Sequence, residues 1–160
     1  LSADATFAVK TARDLSLGRA NPDPTGRLTA ITLASGGGAT LDVLPGTGEF
    51  PRMHPRHVGS QHRYTYGVIA NGIARWDLAN GKHETFSYGP DTWSEEPVFT
   101  PRHGAADEAD GWLTATVLNY GLGRTELAVF DARRVSDGPV ARLACPYALP
   151  LGFHGDFVAA

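Results

Sequence analysis

Chemical reach in this sequence is concentrated in six histidines, His54, His57, His62, His83, His103 and His154, and in two acids set beside prolines and aromatics, Glu49 and Glu96. Imidazoles serve as metal ligands or as acid–base groups, and a carboxylate that takes the proton on one ring nitrogen aims the other. His154 stands in Leu149-Pro150-Leu151-Gly152-Phe153-His154-Gly155. Glycines on both sides allow close approach of the backbone, so the ring can be oriented toward a buried centre. A core histidine satisfied by a backbone carbonyl fits the same local pattern, and both readings stay open on these residues alone.

Glu49 lies in Gly48-Glu49-Phe50-Pro51-Arg52, and Glu96 in Glu95-Glu96-Pro97-Val98-Phe99-Thr100-Pro101. A carboxylate in such surroundings is expected to be partly buried, and a buried charge needs a partner. A histidine ring is one such partner; a surface glutamate in a proline-rich turn is the plainer alternative. His54, His57 and His62 fall in a polar stretch that reads as a solvated loop, while His83 and His103 sit beside turn residues.

The elements that must position these groups are strands. From Arg27 onward, short β-branched and aromatic runs alternate with glycine, proline, asparagine and aspartate clusters, which is all-β punctuation. Strands are predicted at 28–34, 40–44, 63–70, 72–78, 84–88, 97–100, 112–119, 126–131, 141–145 and 153–158. Gly36-Gly37-Gly38, Asn71-Gly72, Asn80-Gly81 and Gly121-Leu122-Gly123 supply hairpin turns. Residues 1–26, interrupted by Asn21-Pro22-Asp23-Pro24, form an irregular segment ahead of a β region at 27–160. Successive antiparallel hairpins imply a sandwich or a few propeller blades. At ~40–45 residues a blade, the chain holds about three to four, too few to close a ring. Exposed sheet edges would remain, which favours a piece of a longer chain.

Composition sets outer bounds. The chain has 160 residues, 42% hydrophobic and 19% charged, with a formal net charge of -3. Its basic residues are scattered, so no footprint for nucleic acid is present. A single cysteine, Cys145, excludes an internal disulfide and favours a reducing, cytoplasmic setting. No apolar run approaches the roughly 20 residues of a membrane-spanning helix.

Five stretches in order, Glu49-Phe50-Pro51-Arg52, His62-Arg63-Tyr64, Glu96-Pro97-Val98-Phe99, Asp110-Gly111-Trp112-Leu113 and Gly152-Phe153-His154-Gly155, resemble the C-terminal half of the carotenoid cleavage oxygenases. The similarity runs from about Gly48 to Val158 and takes in Arg75-Trp76-Asp77-Leu78 and the stretch from Glu126 to Arg133. The resemblance implies the last blades of a seven-bladed β-propeller whose axis holds Fe(II) between four histidines, with glutamates behind them. It makes His154 the last iron ligand and Glu49 and Glu96 orienting acids, Glu96 for His154 and Glu49 for a histidine outside this chain. It also implies a non-haem dioxygenase that inserts O2 across a C=C bond of a carotenoid, apocarotenoid or stilbene to give two carbonyl products. Phe50, Phe99 and Phe153 could line that site or simply pack a core.

Departures from the family pattern set further expectations. Nothing before His54 is a histidine, and His54, His57 and His62 align with family positions that are not ligands. A chain of this extent alone is therefore expected to bind iron poorly and to be inactive without the remaining N-terminal part of the same propeller. Thr100 stands where relatives often carry an aliphatic residue. Greasy substrates imply transient contact with a membrane surface. Two other readings stay open: a non-catalytic β-sheet module binding an apolar ligand or protein, and a divergent propeller acting as an isomerase or carrier.

Overall fold

The computed structural model describes residues 26–158. Most of the predicted irregular segment, 1–25, therefore lies outside the described residues. Among those described, eleven strands make three sheets, none closed on itself. Strands β1 (Thr29–Leu33) and β2 (Ala39–Val43) form a separate hairpin, turned through Gly37 and Gly38 at positive φ. Strands β3 (Glu49–Arg52), β4 (Tyr64–Ile69), β5 (Gly72–Asp77) and β6 (Lys82–Ser87) form a four-stranded antiparallel meander in sequence order.

The third sheet contains β7 (Thr92–Ser94), β8 (Val98–Pro101), β9 (Gly111–Asn119), β10 (Arg124–Asp131) and β11 (Ala141–Ala144). Strand β10 covers one edge of β9, while β7 and β8 share the other, pairing with Asn119–Val117 and with Thr114–Gly111 respectively. Burial alternates along β9, with Gly111, Leu113, Ala115 and Val117 inward, as a half-buried strand requires. Leu113, Ala115 and Val117 pack with Tyr66, Ile73, Phe99, Ala128 and Phe130 into one core between the two larger sheets.

The predicted turns are all present between their strands; Gly37, Gly38, Gly81 and Gly123 take positive φ there, whereas the β4–β5 connection is Ala70-Asn71, with Gly72 already in β5. Two short strands, β3 and β7, were not anticipated, and the strand predicted at 153–158 is absent. Its apolar and aromatic residues suit a strand, but the backbone N–H groups of Gly152 and Gly155 are taken by carboxylates instead of by a neighbouring strand. The segment 152–158 consequently lies exposed along the sheet edge. No helix among the described residues is long and apolar enough to cross a membrane.

Candidate metal centre

Two interruptions of the sheet ladders build the site. Along β3, Glu49 pairs with Val68 and Arg52 with Tyr66, so three steps on one strand face two on the other. This bulge places Phe50 at φ 52°, a left-handed conformation costing a bulky residue about 1–3 kcal/mol. Gly67 lies opposite it, where a Cβ would meet the Glu49 carbonyl oxygen at 2.7 Å. The second interruption separates β7 from β8: Ser94 faces Val117 and Val98 faces Thr114, leaving Glu95, Glu96 and Pro97 opposite only two residues of β9. Pro97 has no N–H to give the ladder, so the edge strand must break there.

Each bulge turns side chains out of the sheet toward the other. Arg52 donates from Nη2 to Glu96 Oε2 at 2.8 Å and to the Gly155 carbonyl at 2.5 Å. Glu96, whose side chain is 5% exposed, also accepts from the Gly155 N–H at 3.3 Å. The His154 Nδ1 lies 3.4 Å from both Glu96 oxygens. A carboxylate only accepts, so in the neutral ring the tautomer that bonds Glu96 carries its proton on Nδ1 and keeps the Nε2 lone pair for a ligand. Phe50 meets the imidazole edge-on at a centroid distance of 5.6 Å, and Phe153 meets Phe50 edge-on at 6.0 Å. The strained backbone at Phe50 thus holds an aromatic wall against His154.

The structure brings Glu96 and His154 together and leaves Glu49 apart. Glu49 is exposed and has no hydrogen-bond or ion-pair partner among the described residues, where a partly buried, partnered acid was expected. The His154 side chain is 69% exposed, which differs from the buried orientation its apolar neighbours suggest. Leu151 packs inward beside Leu118 and Ala148, but the chain beyond it runs over the surface. Of the aromatics, Phe99 belongs to the core, whereas Phe50 and Phe153 flank the ring.

His54 overturns the solvated-loop expectation. It is buried, caps the 3-10 turn Pro55–His57 by accepting the Arg56 N–H on Nδ1 at 3.0 Å, and packs against Phe99. Burial, followed by the charge of Arg56, holds its pKa below the usual histidine value. An imidazole kept neutral as a cap is a structural group. His62 remains near the surface with its Nε2 3.1 Å from the Thr65 hydroxyl, and His83 stacks on Trp76 while exposed.

Two participants had not been singled out in the sequence. Arg52 neutralises Glu96, and Glu95 accepts the Gly152 N–H at 2.7 Å while burial pushes its carboxyl above the usual glutamate range. The signal for both was a proline near each, Pro51 within β3 and Pro97 in the break between β7 and β8, because proline at a sheet marks an edge or a bulge.

Among the described residues no group of three or more histidine, cysteine or acidic side chains could hold a metal ion. The donor set fits one corner of a metal site: an imidazole whose second nitrogen lies against a buried carboxylate, with no second ligand beside it among the described residues.

The family model for retinal pigment epithelial membrane protein matches residues 3–159. The similarity read from the sequence started at about Gly48, and the match extends it upstream. Lignostilbene-alpha,beta-dioxygenase isozyme III of Sphingomonas paucimobilis is 33% identical over 130 residues, 70% of this chain and 26% of that protein. Apocarotenoid-15,15'-oxygenase of Synechocystis is 33% identical over 118 residues, 68% of this chain and 24% of that protein. The structure of cobalt-substituted Synechocystis ACO superposes with a TM-score of 0.78 at 28% identity, covering 85% of this chain and 31% of that one. The chain spans about a quarter of the length of these curated relatives.

Proposed function

This chain belongs to the retinal pigment epithelial membrane protein family of carotenoid cleavage oxygenases, and on that premise we propose that the protein containing it is a non-haem Fe(II) dioxygenase. The reaction joins one O2 to one C=C bond of a conjugated, apolar substrate and yields two carbonyl products, so both oxygen atoms and all four carbon substituents are accounted for. Carotenoids, apocarotenoids and stilbenes are the substrate class suggested by the relatives. The observation that carries the reading is the contact between Glu96 and His154 at the broken edge strand.

In this reading the meander β3–β6 and the sheet of β7–β11 are two of the last blades of a seven-bladed propeller. The bulged first strands, β3 and β7–β8, face its axis. His154 supplies one imidazole of four, and the other three come from the remaining length of the protein. Bound iron supplies the site at which O2 becomes reactive toward the alkene. All-imidazole ligation suits iron and leaves positions open for oxygen. The residues of this chain have the complementary tasks. Glu96 receives the ring N–H at Nδ1, Arg52 pairs with that acid and fixes its position, and Phe50 and Phe153 present an apolar wall that excludes water and seats the substrate beside His154. Glu49 orients a histidine supplied from outside this chain, which accounts for an acid with no partner among the described residues. Since substrates of this kind partition into lipid, transient contact with a membrane surface belongs to the same proposal.

The test is oxygen-dependent loss of carotenoid or stilbene absorbance by the full-length protein with iron, coupled to detection of two carbonyl products. Cleavage in the wild type and its loss in His154→Ala is the expected result. Absence of cleavage across all three substrate classes would overturn the dioxygenase reading, and unchanged cleavage in His154→Ala would overturn the ligand assignment.

A further inference from the structure

We propose that Glu95 is a positioning residue for His154, forming with Glu96 a two-point hold on the turn from Gly152 to Gly155. The inference rests on the reading of His154 as a metal ligand and adds an acid to which that reading gives no task. Glu95 and Glu96 are consecutive, and the break between β7 and β8 sends them to opposite ends of the same four residues. Glu95 Oε1 accepts the Gly152 N–H at 2.7 Å, and Glu96 Oε2 accepts the Gly155 N–H at 3.3 Å. The imidazole stands between these two anchored glycines.

Glu95 is itself held from behind. Its N–H donates to the Thr116 carbonyl at 2.9 Å, which ties its backbone to β9. It forms no ion pair among the described residues, so its carboxylate is committed to Gly152. A backbone N–H given to a carboxylate at this distance is a charge-assisted bond, about twice as strong as a neutral one. The hold matters because segment 152–158 has no strand ladder to fix it. Leu151 is packed inward, but past that residue the path of the backbone is set by Glu95 at one end and by Glu96 with Arg52 at the other. Without the Gly152 anchor the ring would pivot about Gly155, and the direction of Nε2 would no longer be fixed.

The experiment uses the full-length protein with Co(II) alone as the probe metal, reading the dissociation constant and the visible d–d absorption of wild type, Glu95→Ala, Glu95→Gln and His154→Ala. Glutamine retains a side-chain oxygen for the Gly152 N–H. Glu95→Ala is expected to weaken Co(II) binding by about ten- to a hundredfold, the range typical for groups behind a ligand, and to alter the d–d bands. Glu95→Gln is expected to restore both. Wild-type affinity and bands in Glu95→Ala, or equal loss in the alanine and glutamine variants, would overturn the positioning role while His154→Ala still loses cobalt. Unchanged cobalt binding in His154→Ala would instead sink the underlying ligand assignment, and the inference with it. If Glu95→Ala does not fold, Glu95→Asp carries the test by drawing the carboxylate one methylene back from the Gly152 N–H: altered d–d bands support the hold, and wild-type bands overturn it.

Discussion

Asp131 and Glu96 are both buried acids held by arginine, yet they are built for different ends. Asp131, at the end of β10, receives Arg133 Nη2 at 2.9 Å, Arg102 Nη2 at 3.1 Å and the Arg133 N–H at 2.9 Å. Arg102 also pairs with Asp110 at 2.7 Å and lies over the Trp112 ring at 3.9 Å. Every strong partner in that network is satisfied inside it. Glu96 has one arginine, and its remaining capacity goes to a backbone N–H and to an imidazole that is mostly exposed. A closed network fixes a fold; an acid whose last partner is an exposed ring with a free nitrogen fixes a direction. The contrast separates a stabilising ion cluster from an orienting one, although both show the same residue types.

Substitutions should divide along that line, ranked by the stability they remove. Asp131→Ala removes several charge-assisted hydrogen bonds at once, leaving Arg102 and Arg133 with Asp110 as their shared acid, and is expected to cost ~3 kcal/mol, read as a shift in the urea midpoint. The folded fraction should bind metal as the wild type does, and a loss of metal there would erase the distinction. Glu96→Ala is expected to remove about 1.5–3 kcal/mol, the worth of hydrogen bonds to a charged group, and to weaken metal binding about ten- to a hundredfold. A variant that lost stability but kept its metal would return Glu96 to the structural class.

Acid titration sharpens the same comparison. Hydrogen bonds from Arg133 hold the folded-state pKa of Asp131 below the usual aspartate range. The folded protein therefore binds that proton less readily than the unfolded chain. Its contribution to stability is complete above the unfolded value near ~3.9 and is lost as pH falls from there through the lower folded value. Unfolding midpoints measured between about pH 5 and pH 2 should fall in the wild type and change less steeply in Asp131→Asn. The smallest effect is expected at Glu49. Because it is exposed, Glu49→Gln should shift stability by no more than about 0.5 kcal/mol. Metal binding by the full-length protein should nonetheless weaken if Glu49 orients a histidine elsewhere.

Much of the fold was legible in advance because its turns are written in glycine and asparagine. Asn80-Gly81 turns with Gly81 at positive φ, and Asn71-Gly72 marked the β4–β5 hairpin one residue late, since Ala70-Asn71 makes the turn and Gly72 opens β5. Strands β3 and β7 were harder, being short and broken by long-range pairing. The pairing of Glu96 with His154 spans 58 residues, and nothing in the local sequence of either announces the other; the ordered family pattern supplied it. His54 was misjudged because a polar neighbourhood in sequence says little about burial when Phe99 arrives from another sheet. Glu95 and Arg52 escaped notice because their roles exist only where the two bulges face each other.

The central claim is that His154 lends its Nε2 to a metal shared with histidines from the rest of the protein. X-ray absorption of the Co(II)-loaded full-length protein counts imidazole ligands directly through their outer-shell scattering. Four in the wild type and three in His154→Ala is the predicted pair of results; the same count in both proteins would contradict the account.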